Sequence, residues 1–301
     1  NFFYFAGWAD KLNLSWNTNQ MKPYGVVGQI IPWNFPLLML SWKVAPALAT
    51  GNVVILKPAE STPLTALLFA ELCEEVGLPP GVFNLVTGDG TTGAALVQHP
   101  EISKIAFTGS TGVGKYIQKE TADRDIGLTL ELGGKAANIV FNDAAIDQAV
   151  EGVVNGIFFN QGHVCCAGSR LVLQEDIHDQ FVSKLEKRMQ SLRVGNPLDK
   201  NTDIGAINSK EQLDKISELV NNGVDEGGSI FQTECELPQN GFWFKPTLFT
   251  NAQPSYRIAR EEIFGPVLTT LTFRTPEEAI EISNNTEYGL SAGIWTKKGS
   301  K

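Results

Sequence analysis

From Val26 to Leu132, short runs of β-branched and apolar residues alternate with longer stretches whose apolar positions recur every three or four residues. Val26–Ile31, Asn52–Leu56, Val82–Val86, Lys104–Thr108 and Leu128–Leu132 read as strands. Leu37–Ala49 (stopped by Gly51), Thr62–Val76, a segment closing near Gln98 and one following Gly114 read as helices. This alternation predicts βαβ units around a parallel sheet. Ligands in such sheets gather at the carboxyl ends of the strands, so the strand-end residues Asn34, Lys57, Glu60 and Ser110 carry the first functional interest.

The pattern changes at Gly133-Gly134, where a domain boundary is expected. Beyond it come a helix over Ala144–Phe159, a strand over Arg170–Gln174 and a helix over about Ile177–Ser191. A charged helix (Ser209–Glu226), strands near Phe244–Phe249 and Pro266–Phe273, a helix over Pro276–Asn284 and a last strand follow. Residues 9–24 carry scattered polar positions and read as an exposed excursion. The chain opens inside an apolar pattern, Asn1-Phe2-Phe3-Tyr4-Phe5, and ends abruptly after a strand-like run, as a piece of a longer protein would.

With 301 residues, 43% of them hydrophobic, there is material for a large core in two domains. The formal charge of −9 contains no basic run, which argues against nucleic acid or an anionic membrane surface as partner. No apolar run approaches membrane-spanning length. Four cysteines, two of them adjacent, make no disulfide framework and point to a reducing compartment; no Cys/His spacing suits zinc, so no metal is expected.

Gly88-x-Gly90-x-x-Gly93 matches a dinucleotide fingerprint, but no acid lies between Glu101 and Glu120 to take a ribose, so it reads as a structural turn. Gly109 to Lys115 nearly forms a phosphate-binding loop of the Walker type, yet Tyr116 stands where a magnesium-binding hydroxyl belongs. What survives is a helix start at Ser110 able to hold a pyrophosphate. Cys165, in Asn160-Gln161-Gly162-His163-Val164-Cys165-Cys166-Ala167-Gly168-Ser169-Arg170, is a nucleophile candidate between glycines that permit close approach. Glu131, between apolar strand residues and a Gly-Gly pair, is either a structural or a functional acid. Lys57 with Glu60 also reads as a solvated pair, and His163 as a polar loop residue. Phe35, Trp42, Phe159 and Val164 also read as ordinary core.

Six stretches together resemble the NAD(P)-dependent aldehyde dehydrogenase superfamily, specifically its non-acylating members. They are Ile30 to Pro36 (IIPWNFP), Leu56 to Glu60 (LKPAE), Phe107 to Thr111 (FTGST), Leu130 to Lys135 (LELGGK), the cysteine stretch, and Glu261 to Pro266 (EEIFGP). They occur in the family's order and separations across nearly the whole chain. The resemblance implies a Rossmann-like parallel-sheet cofactor domain over 25–133 and an α/β catalytic domain, truncated, over 134–301. Residues 1–24 would be a remnant with an oligomerisation-type excursion. It implies Cys165 as nucleophile, Asn34 as oxyanion donor beside the Cys165 N–H, and Glu131 as the base that activates water. The cofactor would meet Ile31, Trp33, Lys57, Glu60, Gly109, Ser110, Gln212, Glu262 and Phe264. Phe35, Trp42, Phe159 and Val164 would line an apolar substrate funnel. The cofactor would be NAD rather than NADP, because a carboxylate at Glu60 repels a 2′-phosphate. The expected product is a carboxylate, in a cytoplasmic or mitochondrial homodimer or homotetramer. A coenzyme-A-acylating enzyme and a non-catalytic scaffold are the rival readings; Glu131 speaks against the first.

Overall fold

The computed structural model describes residues 1–12 and 21–299. Residues 13–20 of the excursion expected over 9–24 lie outside the described residues. The chain divides into two compact units, Asn1–Leu132 and Gly133–Lys301.

The first unit is a doubly wound α/β layer. It contains α1 (Phe2–Ala9), β1 (Val26–Ile30), α2 (Pro36–Ala49), β2 (Val53–Lys57), α3 (Leu64–Glu75) and β3 (Phe83–Leu85). It closes with α4 (Gly90–Gln98), β4 (Lys104–Thr108), α5 (Thr111–Glu120) and β5 (Gly127–Glu131). The strands form one parallel sheet in the order β3-β2-β1-β4-β5. Alternation along the strands sends Val27, Ile31, Val54 and Leu56 to one core with Leu40 and Val44 of α2. Ile105 and Phe107 go to the opposite core with Leu96, Val97 and Ile117. The chain winds from β1 out to β3, then returns to lay β4 on β1's other side. The carboxyl ends of β1 and β4 therefore flank a topological switch point, where open α/β sheets bind ligands. Helix α1 was legible only as an apolar start; it packs on the same side as α2 and α3, with Phe2 stacked on Phe69 at 5.1 Å.

The second unit contains β6 (Ala137–Val140), α6 (Ile146–Phe158), β7 (Arg170–Gln174), α7 (His178–Met189), α8 (Lys210–Asp225) and β8 (Ser229–Gln232). It continues with β9 (Thr247–Thr250), α9 (Arg257–Arg260), β10 (Val267–Phe273), α10 (Pro276–Asn284) and β11 (Ala292–Trp295). Its sheet runs β11-β6-β7-β10-β9-β8, parallel except for the β8–β9 pair. In α6 the residues Ala149, Val150, Val153, Val154, Ile157 and Phe158 form a buried stripe at helical spacing. That stripe packs on β7 and on Phe181 and Leu185 of α7. Strand β6 was not expected. All four of its residues are buried, so no in–out alternation marks it, and Asn138 interrupts the apolar run. The Asn138 side-chain oxygen accepts the Trp295 indole N–H at 2.8 Å, tying β6 to β11.

Candidate active site

In the first unit, the expected cofactor residues cluster at the carboxyl ends of β1, β2 and β4. Lys57 ends β2 with its side chain buried, and its Nζ donates to Glu60 Oε1 at 2.9 Å and to the Pro58 carbonyl at 3.1 Å. Burial favours the neutral acid at Glu60, but a backbone hydrogen bond and Lys57 outweigh it and hold the carboxyl below its usual range. Beside this pair, Pro58, Ala59, Glu60, Pro63, Thr87, Gly88 and Asp89 line a cavity of about 320 Å³. Asp89 caps α4 by accepting from the Thr91 N–H and hydroxyl at 2.9 and 2.6 Å. Ile31 is buried under β1, and Trp33 is half-buried in the turn that follows. Gly109 and the exposed Ser110 open α5, with Ser110 Oγ accepting from the Val113 N–H at 3.4 Å. These residues fit a dinucleotide: a carboxylate–ammonium pair for a ribose, a cavity beside it, and a helix start for phosphates.

A second cavity of the same unit, about 370 Å³, brings Glu131 and Trp42 together with Lys43, Gln29, Lys104 and Thr129. Glu131 was expected near low dielectric; the structure instead leaves it exposed at the end of β5. Trp42 is 55% exposed, so it is a cavity wall and not core. Lys43 had drawn no attention in the sequence. Burial lowers its ammonium to about 8, against the opposing pull of the Glu131 carboxylate. A lysine following an exposed tryptophan carries no sequence signal of its own. Asn34 and Phe35 sit in the turn before α2, and Phe35 packs on the core beneath it.

In the second unit, the cysteine stretch is held by an unusual backbone. Asn160, Gln161 and Gly162 lie consecutively in the left-handed region, with φ of 49°, 59° and 73°. A Cβ on Gly162 would fall 2.1 Å from the Gly265 carbonyl oxygen, so only glycine lets these loops approach. Gln161 Oε1 accepts the Gly205 N–H at 2.9 Å and fixes the turn from outside. Val164 is half-buried against the α6–β7 core, whereas Phe159 is 63% exposed at the helix end. His163 departs from its reading as a polar loop residue. It is buried, stacks on Phe264 at 5.8 Å, and burial lowers its imidazole to about 4.

Cys165 follows this turn, partly buried. Burial and the neighbouring Cys166, with a smaller push from Glu262, raise its thiol to about 11. The resting side chain is therefore a thiol, and the thiolate must be generated as it attacks. Gly134 lies against it: a Cβ there would meet the Cys165 carbonyl oxygen at 2.2 Å. The Gly134 N–H also donates to Glu262 Oε1 at 2.9 Å. Burial raises the Glu262 carboxyl, and the Gly134 hydrogen bond with Lys215 and Lys135 opposes the rise. Phe264 has φ of 56°, and its carbonyl and that of Ile263 accept the Gln212 side-chain N–H groups at 2.9 and 3.1 Å. Gln212, expected to reach a ribose, thus spends its donors bracing the Phe264 turn. A small cavity joins Val164, Glu262, Phe264, Gly134 and Gly162.

Residues 1–301 match the model of the aldehyde dehydrogenase family over their whole length. The chain belongs to the aldehyde dehydrogenase family. It is 48% identical to an aldehyde dehydrogenase of Emericella nidulans, covering 98% of this chain and 61% of that protein. It is also 48% identical to human retinal dehydrogenase 2, covering all of this chain and 60% of that protein. An NAD⁺ complex of a Bacillus cereus aldehyde dehydrogenase superposes with a TM-score of 0.93 at 43% identity, covering 99% of this chain and 62% of that one. The chain therefore spans about 60% of the length of the family members it matches. Among the described residues, no helix is long and apolar enough to cross a membrane, and no group of three or more His, Cys, Asp or Glu could hold a metal ion.

Proposed function

We propose that this protein oxidises an aldehyde to the carboxylate with NAD as hydride acceptor. The observation that carries the reading is the arrangement about Gly134, whose bare Cα packs on the Cys165 backbone while its N–H holds Glu262. A nucleophile candidate and a carboxylate suited to two ribose hydroxyls thus share one backbone hub. In the first unit, Lys57 and Glu60 would hold the adenosine ribose, and Gly109 and Ser110 the pyrophosphate, with Ile31 and Trp33 alongside. NAD is favoured over NADP because Glu60 stays ionised beside the cavity, with Asp89 as a second negative charge that would meet a 2′-phosphate.

Cys165 Sγ would add to the aldehyde carbon as its proton passes to water, giving a thiohemiacetal. The Cys165 N–H and the Asn34 amide are the donors proposed for the developing oxyanion, one such donor being worth about 3 kcal/mol. Bound NAD supplies the acceptor for the departing hydride. Glu131 would then take a proton from the water that hydrolyses the Cys165 thioester, a role an exposed carboxylate with access to water can fill. Phe35, Trp42, Phe159 and Val164 offer apolar walls, which suit aliphatic or aromatic aldehydes. A homodimer or homotetramer is the assembly proposed for the whole protein.

The test is aldehyde-dependent NADH formation with propanal and benzaldehyde, comparing the protein with Cys165→Ala and identifying the product. Activity abolished by the substitution, with free carboxylate as product, supports the reading. A coenzyme-A-dependent thioester product would overturn it in favour of the acylating reaction. Failure of the folded protein to bind NAD would overturn the cofactor assignment.

A further inference from the structure

Lys135 is 2% exposed, and among the described residues its Nζ has no hydrogen-bond partner. An unpaired buried ammonium is costly, so its surroundings must be arranged to tolerate it. They are built with care. The Lys135 carbonyl accepts the Arg170 Nε–H at 2.8 Å, and the remaining Arg170 donors bond the Ile282 and Ser283 carbonyls at 2.9 and 2.7 Å. Arg170 thus locks the Lys135 backbone without spending any bond on a carboxylate. Just upstream, the two glycines lie against Glu262: a Cβ on Gly133 would fall 2.4 Å from Glu262 Oε2, and the Gly134 N–H bonds Oε1. Glu262 is thereby pressed onto the same segment that carries Lys135.

The charged groups acting on Lys135 are Arg170 from β7, Glu262 and Glu261 from the loop after α9, and Lys215 from α8. Glu261 is already engaged by Arg257, at 2.6 and 3.0 Å. Glu262 has the Gly134 N–H and is otherwise buried, with Tyr288 and Cys165 near it. We propose that Lys135 is a positioning residue that keeps the Glu262 carboxylate ionised and seated as the acceptor for the nicotinamide ribose hydroxyls, acting from inside the core without touching the cofactor. This rests on the proposed role of Glu262 in NAD binding. Burial lowers Lys135 to about 7, so it is charged across the acidic range in which a buried glutamate would take up a proton.

The experiment is a carboxyl-¹³C NMR titration of the cofactor-free protein, with the Glu262 signal assigned by its loss in Glu262→Gln. In Lys135→Met the Glu262 midpoint is expected to rise by about one pH unit relative to the unsubstituted protein. NAD affinity, level between pH 6 and 8 in the unsubstituted protein, is expected to weaken by about twofold on going from pH 8 to 6 in the variant, as a midpoint raised by one unit requires. Coupling is reciprocal. If Lys135→Met does not fold, Glu262→Gln reads the same interaction by lowering the midpoint of the lysine ¹³Cε signal that titrates near neutrality. A merely structural Lys135 would weaken NAD binding equally at every pH and leave the Glu262 midpoint in place; that result overturns the proposal while NAD binding itself survives. An unsubstituted protein that binds no NAD, with the coupling present, overturns the cofactor role of both residues.

Discussion

Cys165 shows how far a residue's chemistry departs from its motif. The sequence marks it as a nucleophile candidate, and the resemblance casts it as the nucleophile. The structure buries it beside Cys166 and Glu262, which raises its thiol to about 11. At pH 7 that leaves about one side chain in ten thousand ionised. Alkylation by iodoacetamide in the absence of cofactor, followed at the Cys165 peptide by mass spectrometry, is therefore expected to accelerate about tenfold per pH unit up to about pH 11. A plateau at pH 8 or below would show that the thiol is activated in the resting protein and that burial is outweighed. Among the other candidates, Lys57 and Glu60 were legible because the first closes a strand and the second lies in the turn just beyond it. The bracing of Phe264 by Gln212 was not, since two residues 52 apart in sequence meet only through the fold.

At the scale of elements, the strands and helices of the first unit other than α1 were readable because short β-branched runs alternate with longer stretches of helical spacing. In the second unit β6 was missed: buried on both faces, it offers no period of two, and its four residues are too few to declare themselves. The same concealment covers the segment leading into it, Gly133-Gly134-Lys135, where the motif was visible but the reason for two glycines was not. Gly134 must lack a side chain because the Cys165 carbonyl occupies the space. Gly134→Ala is expected to keep the secondary structure but lower the thermal unfolding temperature, because the new Cβ meets backbone and not a flexible side chain, while displacing Cys165 by up to about an ångström. Misplacement of that size lowers kcat/KM by about a hundredfold. Steady-state kinetics beside circular dichroism would check this. A variant within threefold of full activity would mean that the loop yields without consequence.

For the molecule as a whole, composition and burial point in opposite directions. A formal charge of −9 and a pI near 5.0 suggest greatest stability on the acid side, where self-repulsion is least. The buried bases argue otherwise. His163 at about 4, Lys135 at about 7 and Lys43 at about 8 all sit below their unfolded values, so the unfolded chain binds more protons than the native one. Stability must then rise with pH between 4 and 6.5 through His163, and between 7 and 10.5 through the two lysines. The His163 contribution is at most about 3 kcal/mol. Glu262, Cys165, Cys73 and Tyr288 oppose the trend, because their raised values make the native state the better proton binder. Glu262 does so just above the usual glutamate range, and Cys165 does so between 9 and about 11. The urea midpoint is therefore expected to climb from pH 5 to about pH 9 and flatten beyond. His163→Phe should remove the lower part of the climb, and Lys135→Met should make the part above pH 7 shallower, leaving the share due to Lys43. A midpoint greatest near pH 5 in the unsubstituted protein would mean that surface repulsion governs the fold's pH response and that these buried groups titrate much as they do in water.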